Sequence, residues 1–274
     1  MGDLAIGGTL LLLGAGKMGG AMLEGWLKLG LEPASVTVLD PNLPDAVSEG
    51  LRAKGIAVNP DLSGLSSPAV VLLAIKPQMM DMALASVSPL FGSGTMAVSI
   101  MAGKTIAGMA EHLPPGIAIV RAMPNTPAAV GRGITAAVPN ERVTPAQRQA
   151  ADALLRSTGA VEWVEDESLI DAVTAVSGSG PAYVFYLVEA LASAGVTAGL
   201  PEGLAMRLAR ATVSGSGELL HQSDQPAAIL RQNVTSPAGT TAAALAVLMA
   251  PDGLEALMCK AVAAAKQRAT ELAS

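Results

Sequence analysis

Between Thr9 and about Val164, short apolar runs alternate with helix-length segments of mixed polarity. TLLLLG (Thr9 to Gly14) reads as a buried strand, and Lys17 to Leu29 as the helix after it. VTVLD (Val36 to Asp40) is a second strand, followed by a helix from about Pro44 to Lys54. AVVLLAI (Ala69 to Ile75), TMAVSI (Thr95 to Ile100) and GIAIVRAM (Gly116 to Met123) continue the series. GITAAVP, a helix from about Thr144, and AVEWV (Ala160 to Val164) finish it. These runs are apolar almost throughout rather than at alternate positions, which predicts a parallel sheet covered on both faces. Strand–helix alternation over this length predicts a doubly wound α/β domain.

After Glu165 the strand pattern stops. Helix-length segments follow at about Asp166 to Val176, Pro181 to Ala198, Pro201 to Gln222, Gln225 to Gln232, Gly239 to Ala250 and Gly253 to Leu272. Pro181 and Pro201 stand where helices begin, because a first-turn proline forfeits no needed N–H. The expected fold class is α/β: a Rossmann-type doubly wound sheet over residues 1–165, then an all-α domain over 166–274.

Composition narrows the setting. Hydrophobic residues make up 51% of the chain and aromatics only 2%, so Ala, Leu, Val and Gly build the core. Small side chains let helices approach closely, which suits a helical domain that also packs on copies of itself. The mean hydropathy of +0.47 raises the question of a membrane. The longest apolar blocks, such as Ala242 to Ala250, are about half the roughly 18 residues that a spanning helix needs. LAIGGTLLLLGAG resembles the apolar part of a signal peptide, but no basic residue precedes it and it ends in Gly-Ala-Gly-Lys. The single cysteine, Cys259, forms no internal disulfide, and no Cys/His cluster suggests a metal. These features fit a cytoplasmic protein. The net charge of −6 argues against a nucleic-acid surface.

The chemistry lies in a few short stretches. GAGKMG (Gly14, Ala15, Gly16, Lys17, Met18, Gly19) follows a strand and opens a helix, the setting of a dinucleotide fingerprint. Gly14 permits the tight turn, Gly16 lets backbone meet a pyrophosphate, and Gly19 lets helix pack on strand. Asp40 ends the second strand, where an acid binds a ribose 2′-hydroxyl. A carboxylate there repels a 2′-phosphate, and Pro41, Asn42, Leu43 and Pro44 bring no cation, so the sequence leans to NADH over NADPH. The alternative is that Asp40 only caps a turn. Ala74, Lys76 and Pro77 end a central strand at the expected crevice, although a solvated lysine opening a helix is the plainer reading. Asn125, between Pro124 and Pro127, is a rigidly held amide suited to a nicotinamide or a carbonyl; Asn in such a stretch also serves turns. AVSGSGPAYVF (Ala175 to Phe185) joins two helices through glycines and serines, as an ordinary turn also would.

RQNVTSPAGTTAAAL (Arg231 to Leu245) interrupts the helical half with hydroxyls and a proline. Ser236 is placed as an N-cap with Pro237 in the first helical position. The amides of Ala238, Gly239, Thr240 and Thr241 are then expected at the positive end of a helix dipole, a site for a small carboxylate. An ordinary Ser-Pro cap accounts for the first two residues but not for Gly-Thr-Thr. No lysine occurs between Lys104 and Lys260, and the only histidines are His112 and His221. Oxidation of an alcohol wants a His or Lys base. An imine nitrogen already protonated needs none, so the site has mainly to orient the C=N carbon against a nicotinamide.

With GAGKMG, AIKPQ, RAMPNTPAAVGRGITA, AVSGSGPAYVF and VTSPAGTTAAAL in order, the chain resembles the pyrroline-5-carboxylate reductases from about Leu10 to Lys266. The resemblance implies reduction of 1-pyrroline-5-carboxylate to L-proline with hydride from NADPH or NADH. It also implies a homodimer through interlocking helical domains, often assembled into decamers, with a site built from two subunits. Ser236, Gly239, Thr240 and Thr241 match the family's substrate loop, and Thr241 matches the threonine suggested to hydrogen-bond the ring nitrogen. Ala74, Lys76, Pro77 and Asn125 match cofactor contacts. The chain departs from the family at Ala238, where many members carry glycine, and in DPNLP after the second strand, which puts NADPH preference in doubt. Three rival readings stand beside it: a β-hydroxyacid-type dehydrogenase, a reductase of a six-membered imine, and a dinucleotide-binding regulator without turnover.

Overall fold

A computed structural model describes residues 6–273. Eight strands among them form one sheet: β1 (Leu10–Leu13), β2 (Val36–Leu39), β3 (Ala57–Val58), β4 (Val70–Leu73), β5 (Met96–Ser99), β6 (Ala118–Met123), β7 (Gly133–Pro139) and β8 (Gly159–Trp163). Their order is β3-β2-β1-β4-β5-β6-β7-β8, so the winding reverses between β1 and β4. Helices α1 (Lys17–Lys28), α2 (Asp45–Ala53), α3 (Met80–Val87), α4 (Ile106–Ala110) and α5 (Pro145–Arg156) are the crossovers, and α6 (Leu169–Val173) follows the last strand. The central runs β1, β4 and β5 are buried on both faces. Leu10 and Leu12 belong to one core cluster with Val36, Val38, Val70 and Leu72, whereas Leu11 and Leu13 belong to the opposite one with Val71, Leu73 and Ala97. Each fully buried leucine contributes about 2 kcal/mol, which is why no polar residue interrupts β1 or β4. Trp26, fully buried on α1, donates from Nε1 to the Leu154 carbonyl at 2.8 Å and so ties α1 to α5.

The sheet is parallel except at one place. β7 runs antiparallel to β6, where the apolar pattern had predicted a continuous parallel order. The connection over residues 124–132 holds a single 3₁₀ turn, Thr126–Val130. A parallel crossover needs a dozen or more residues, so the chain turns back on itself instead. The segment after β8 also differs from expectation. In place of one helix from Asp166 to Val176, α6 gives way to a π turn over Thr174–Gly178. The hydroxyls of Thr174 and Ser177 donate to the carbonyls of Ile170 and Val173, at 2.8 and 3.0 Å, and such back-bonding competes with regular helix pairing.

The remaining helices are α7 (Gly180–Thr197), α8 (Glu202–Gln222), α9 (Ala227–Asn233), α10 (Thr240–Leu248) and α11 (Leu254–Ala273). The chain divides into two compact units. One runs up to Gly178 and takes in the chain again from Lys266, and the other spans Ser179–Ala265. In the second unit α7 and α8 pack as an antiparallel pair, with Ala192, Ala205 and Ala209 buried between them. In the first, Arg121 of β6 is 3% exposed and pairs through Nη1 with Glu167 Oε1 at 2.8 Å. The same carboxylate oxygen accepts the Ile106 N–H at 2.8 Å, and Asp171 faces Arg121 Nη2 at 3.8 Å while accepting the Thr270 hydroxyl at 2.9 Å. One buried guanidinium thereby fastens α4, α6 and the end of α11 to the sheet.

Candidate active site

The register of the central strands sets the site. Leu13 pairs with Leu39 on one side and with Leu73 on the other, and Leu73 pairs with Ser99. The residues that follow each strand are therefore neighbours at the switch point. Gly14 N–H donates to Leu39 O, Ala74 N–H to Leu13 O and Ile100 N–H to Leu73 O, at 2.8, 2.8 and 3.0 Å. Crevices at this edge of a doubly wound sheet are where ligands bind.

Each glycine of the first loop has its own constraint. Gly14 has φ +87, and a Cβ there would lie 2.6 Å from the Ala74 carbonyl oxygen. A Cβ on Gly19 would collide with the Gly14 carbonyl oxygen. Gly16 has open space around it and is the N-cap of α1, so the amides of Lys17, Met18 and Gly19 face the opening unobstructed by a side chain. Such a cradle fits a pyrophosphate. Lys17 itself is exposed.

Asp40 is tied into this loop. Its Oδ2 accepts the Ala15 N–H and its Oδ1 the Asn42 N–H, both at 3.0 Å. The capping role weighed for Asp40 is thus present, yet each carboxylate oxygen has a second lone pair with which to meet a hydroxyl. Asn42 is exposed, and its backbone closes the turn.

On the other side of the switch point lies a cleft of about 280 Å³ whose walls include Met18, Ala74, Ile100, Met123, Asn125 and Gly178. Asn125 accepts the Ile134 N–H through Oδ1 at 3.0 Å, so its orientation is fixed and Nδ2 is the group it offers to a ligand. Lys76 is exposed and caps the short turn Pro77–Met79, so the structure sets Lys76 and Pro77 at the rim beside Ala74 rather than among these walls. Ile100 had not been singled out from the sequence as a site residue, and Gly178 only as part of AVSGSGPAYVF. Strand-end position marked the first, and the Gly-Ser-Gly turn marked the second only as one possibility of two.

The Ser236–Thr241 stretch belongs to the helical unit and differs from the sequence expectation. α10 begins at Thr240 with Gly239 as N-cap, not at Pro237 with Ser236 as cap. Ser236, Pro237, Ala238 and Gly239 instead close a turn, with the Gly239 N–H donating to Ser236 O at 3.1 Å. Proline suits the second position of such a turn, and a positive φ is needed at the third. Ala238 supplies it at φ +56, so it is not in helical conformation as expected. The Gly239 amide is spent on the turn. The first-turn donors of α10 are therefore those of Thr240, Thr241 and Ala242, since Ala243 N–H already returns to Gly239 O at 3.2 Å. A Cβ on Gly239 would collide with Ser236 Oγ, so glycine is required where hydroxyl and helix start meet.

Residues 9–113 match the family described as NADP oxidoreductase coenzyme F420-dependent. Residues 167–272 match the one described as Pyrroline-5-carboxylate reductase dimerisation. The pyrroline-5-carboxylate reductase of Pseudomonas aeruginosa is 37% identical over 95% of both chains. This chain belongs to the pyrroline-5-carboxylate reductase family. The Synechocystis member is 44% identical over 79% of this chain and 80% of its own. Among solved structures, the pyrroline-5-carboxylate reductase of Coxiella burnetii superposes with a TM-score of 0.89 at 33% identity, covering 97% of this chain and 99% of its own. That of Plasmodium falciparum, with NADP bound, gives 0.80 at 28% identity, covering 98% and 99%. The fold class is therefore that of the pyrroline-5-carboxylate reductases: a nicotinamide-dinucleotide-binding α/β domain and a helical dimerisation domain, which supports homo-oligomerisation. Among the described residues no helix is long and apolar enough to cross a membrane, and no cluster of His, Cys, Asp or Glu could hold a metal ion.

Proposed function

We propose that the chain reduces the C=N bond of 1-pyrroline-5-carboxylate to give L-proline, the last step of proline biosynthesis, in the cytoplasm. The observation that supports this most strongly is the match to curated pyrroline-5-carboxylate reductases along nearly the whole chain. The residues fit a dinucleotide. Gly14, Ala15, Gly16, Lys17, Met18 and Gly19 would cradle the pyrophosphate, Asp40 with Asn42 would meet the adenosine ribose, and Asn125 would meet the carboxamide end. Ala74, Lys76 and Pro77 would flank it. Bound there, reduced nicotinamide supplies the hydride.

The chain's own part is orientation. The amides of Thr240, Thr241 and Ala242 would take the substrate carboxylate at the positive end of α10, with Ser236, Ala238 and Gly239 shaping the turn beneath it. The Thr241 hydroxyl would hold the ring nitrogen. No lysine lies between Lys104 and Lys260, and the protonated imine needs no strong base from the protein. The free lone pairs of Asp40 suit a 2′,3′-diol and its charge disfavours a 2′-phosphate, which favours NADH over NADPH. We further assign 1–165 to the dinucleotide and 166–274 to substrate and dimerisation, with the homodimer formed through the helical domain and a decamer as the higher assembly.

Steady-state oxidation of NADH and of NADPH with 1-pyrroline-5-carboxylate tests the reading, with turnover and a higher kcat/KM for NADH expected. Preference for NADPH would retain the reductase and remove the role given to Asp40. Turnover with neither would overturn the activity. Thr241→Ala is expected to lower kcat/KM by about ten- to thirtyfold, the worth of one hydrogen bond to a charged group. An unchanged value would take Thr241 out of the mechanism.

A further inference from the structure

The strand pairing between β2 and β3 ends with Val38 opposite Val58, yet the next peptide of β2 is still held. The side chain of Asn59 holds it. Its Oδ1 accepts the Asp40 N–H at 2.8 Å and its Nδ2 donates to the Asp40 carbonyl at 2.9 Å, while its own N–H donates to Val38 O at 2.9 Å. A carboxamide carries one acceptor and one donor side by side, the same pair that a neighbouring strand would offer. Asn59 thus extends the sheet by one side chain where the backbone has already turned away. The turning is visible in its φ of +48, a left-handed conformation that asparagine tolerates better than most residues. An asparagine needed only for that backbone would have no reason to spend both polar atoms on one residue. Here the residue is Asp40, whose carboxylate in turn accepts the Ala15 N–H of the glycine loop.

We propose that Asn59 is a positioning residue for the dinucleotide: it fixes the main chain of Asp40 so that the carboxylate stands ready for the adenosine ribose, and thereby sets the discrimination between NADH and NADPH. The inference rests on reading the glycine loop and Asp40 as a dinucleotide site. Asn59 is exposed, so water competes for both of its bonds and the effect is graded rather than all-or-none.

The test is calorimetric titration of NADH and NADPH, which requires no imine, on wild type, Asn59→Gly, Asp40→Ala and the double variant. Glycine keeps the left-handed backbone free of strain and removes only the clamp. In Asn59→Gly the Kd for NADH is expected to rise about three- to tenfold, with a smaller change for NADPH, while kcat at saturating NADH and the KM for the imine hold. In the Asp40→Ala background the same substitution is expected to change the NADH Kd by less than about twofold, because the residue it acts through is gone. An unchanged NADH Kd in Asn59→Gly, or an equal loss with and without Asp40, would overturn the role of Asn59 while leaving the dinucleotide site in place. Wild type binding neither dinucleotide would overturn the site itself, and the role of Asn59 with it.

Discussion

At the scale of single residues, Ala238 carries an unusual constraint. The turn from Ser236 to Gly239 requires a positive φ at its third position, and an alanine there sets its Cβ against the following carbonyl at a cost of about 1–2 kcal/mol. Glycine removes that strain but gives the unfolded chain more freedom, worth about 0.4–1 kcal/mol. Ala238→Gly is therefore expected to stabilise the protein by up to about 1.6 kcal/mol, read as a higher urea midpoint with an unchanged slope. A lower midpoint would mean that the methyl makes a contact worth more than the strain. The sequence identified this segment as special but misplaced the start of the helix. Ser-Pro before an apolar run describes a capped helix and a proline turn equally well, and only the Gly239 N–H bond to Ser236 decides between them. Asn59 left no trace in the sequence for a related reason. Its partner is the backbone of a residue on another strand, which no local pattern reveals. The glycine loop was legible because each glycine answers a local steric demand at a fixed spacing.

At the scale of elements, strands buried on both faces were easy to read and short or turned ones were not. β1 and β4 are apolar throughout, β5 is apolar up to Ser99 and β6 is broken only by Arg121, whereas β3 is two residues long and pairs only with Thr37 and Val38. α3 and α4, eight and five residues long, offer too few turns for a helical period to stand out. The reversal at β7 follows from loop length rather than from any property of the strand itself. α6 is held by the buried Ile170 and by charge: it carries Asp171, and Glu167 just before it, against the buried Arg121, whose Nε has no hydrogen-bond partner among the described residues. Removing Glu167 would leave the guanidinium with one carboxylate at 3.8 Å and the Ile106 amide without its acceptor. Breaking one side of a buried pair costs about 3–5 kcal/mol, and the partial exposure of Glu167 reduces this to about 2–3 kcal/mol. Glu167→Ala is expected to lose that much in chemical denaturation, and Glu167→Gln, which keeps an acceptor, about half. Equal losses in the two variants would show that packing rather than the guanidinium sets the stability of α6.

At the scale of the whole molecule, the two units differ in where their apolar residues lie. In the first, strands and helices enclose two large core clusters on either side of the sheet. In the second, Phe185, Val247 and Leu257 are 63%, 72% and 60% exposed, and α10 has no buried residue although every residue after Thr241 is apolar. A helix that is apolar all round is a buried helix, so this surface has a partner. The match of residues 167–272 to a dimerisation domain names the kind of partner, a second copy of the chain. The composition had pointed the same way, with half the residues hydrophobic and hardly any aromatic among them. If assembly completes the core of the helical unit, stability is linked to concentration, because association favours the folded state by mass action. The thermal midpoint is then expected to rise as the protein is concentrated, and light scattering to give at least twice the 27.4 kDa of one chain. Leu257→Lys would bury a charge in that surface and is expected to lower both the scattering mass and the midpoint. A wild-type mass of a single chain, with a midpoint independent of concentration, would mean that the exposed leucines and valines of the helical unit are covered by something other than a second copy.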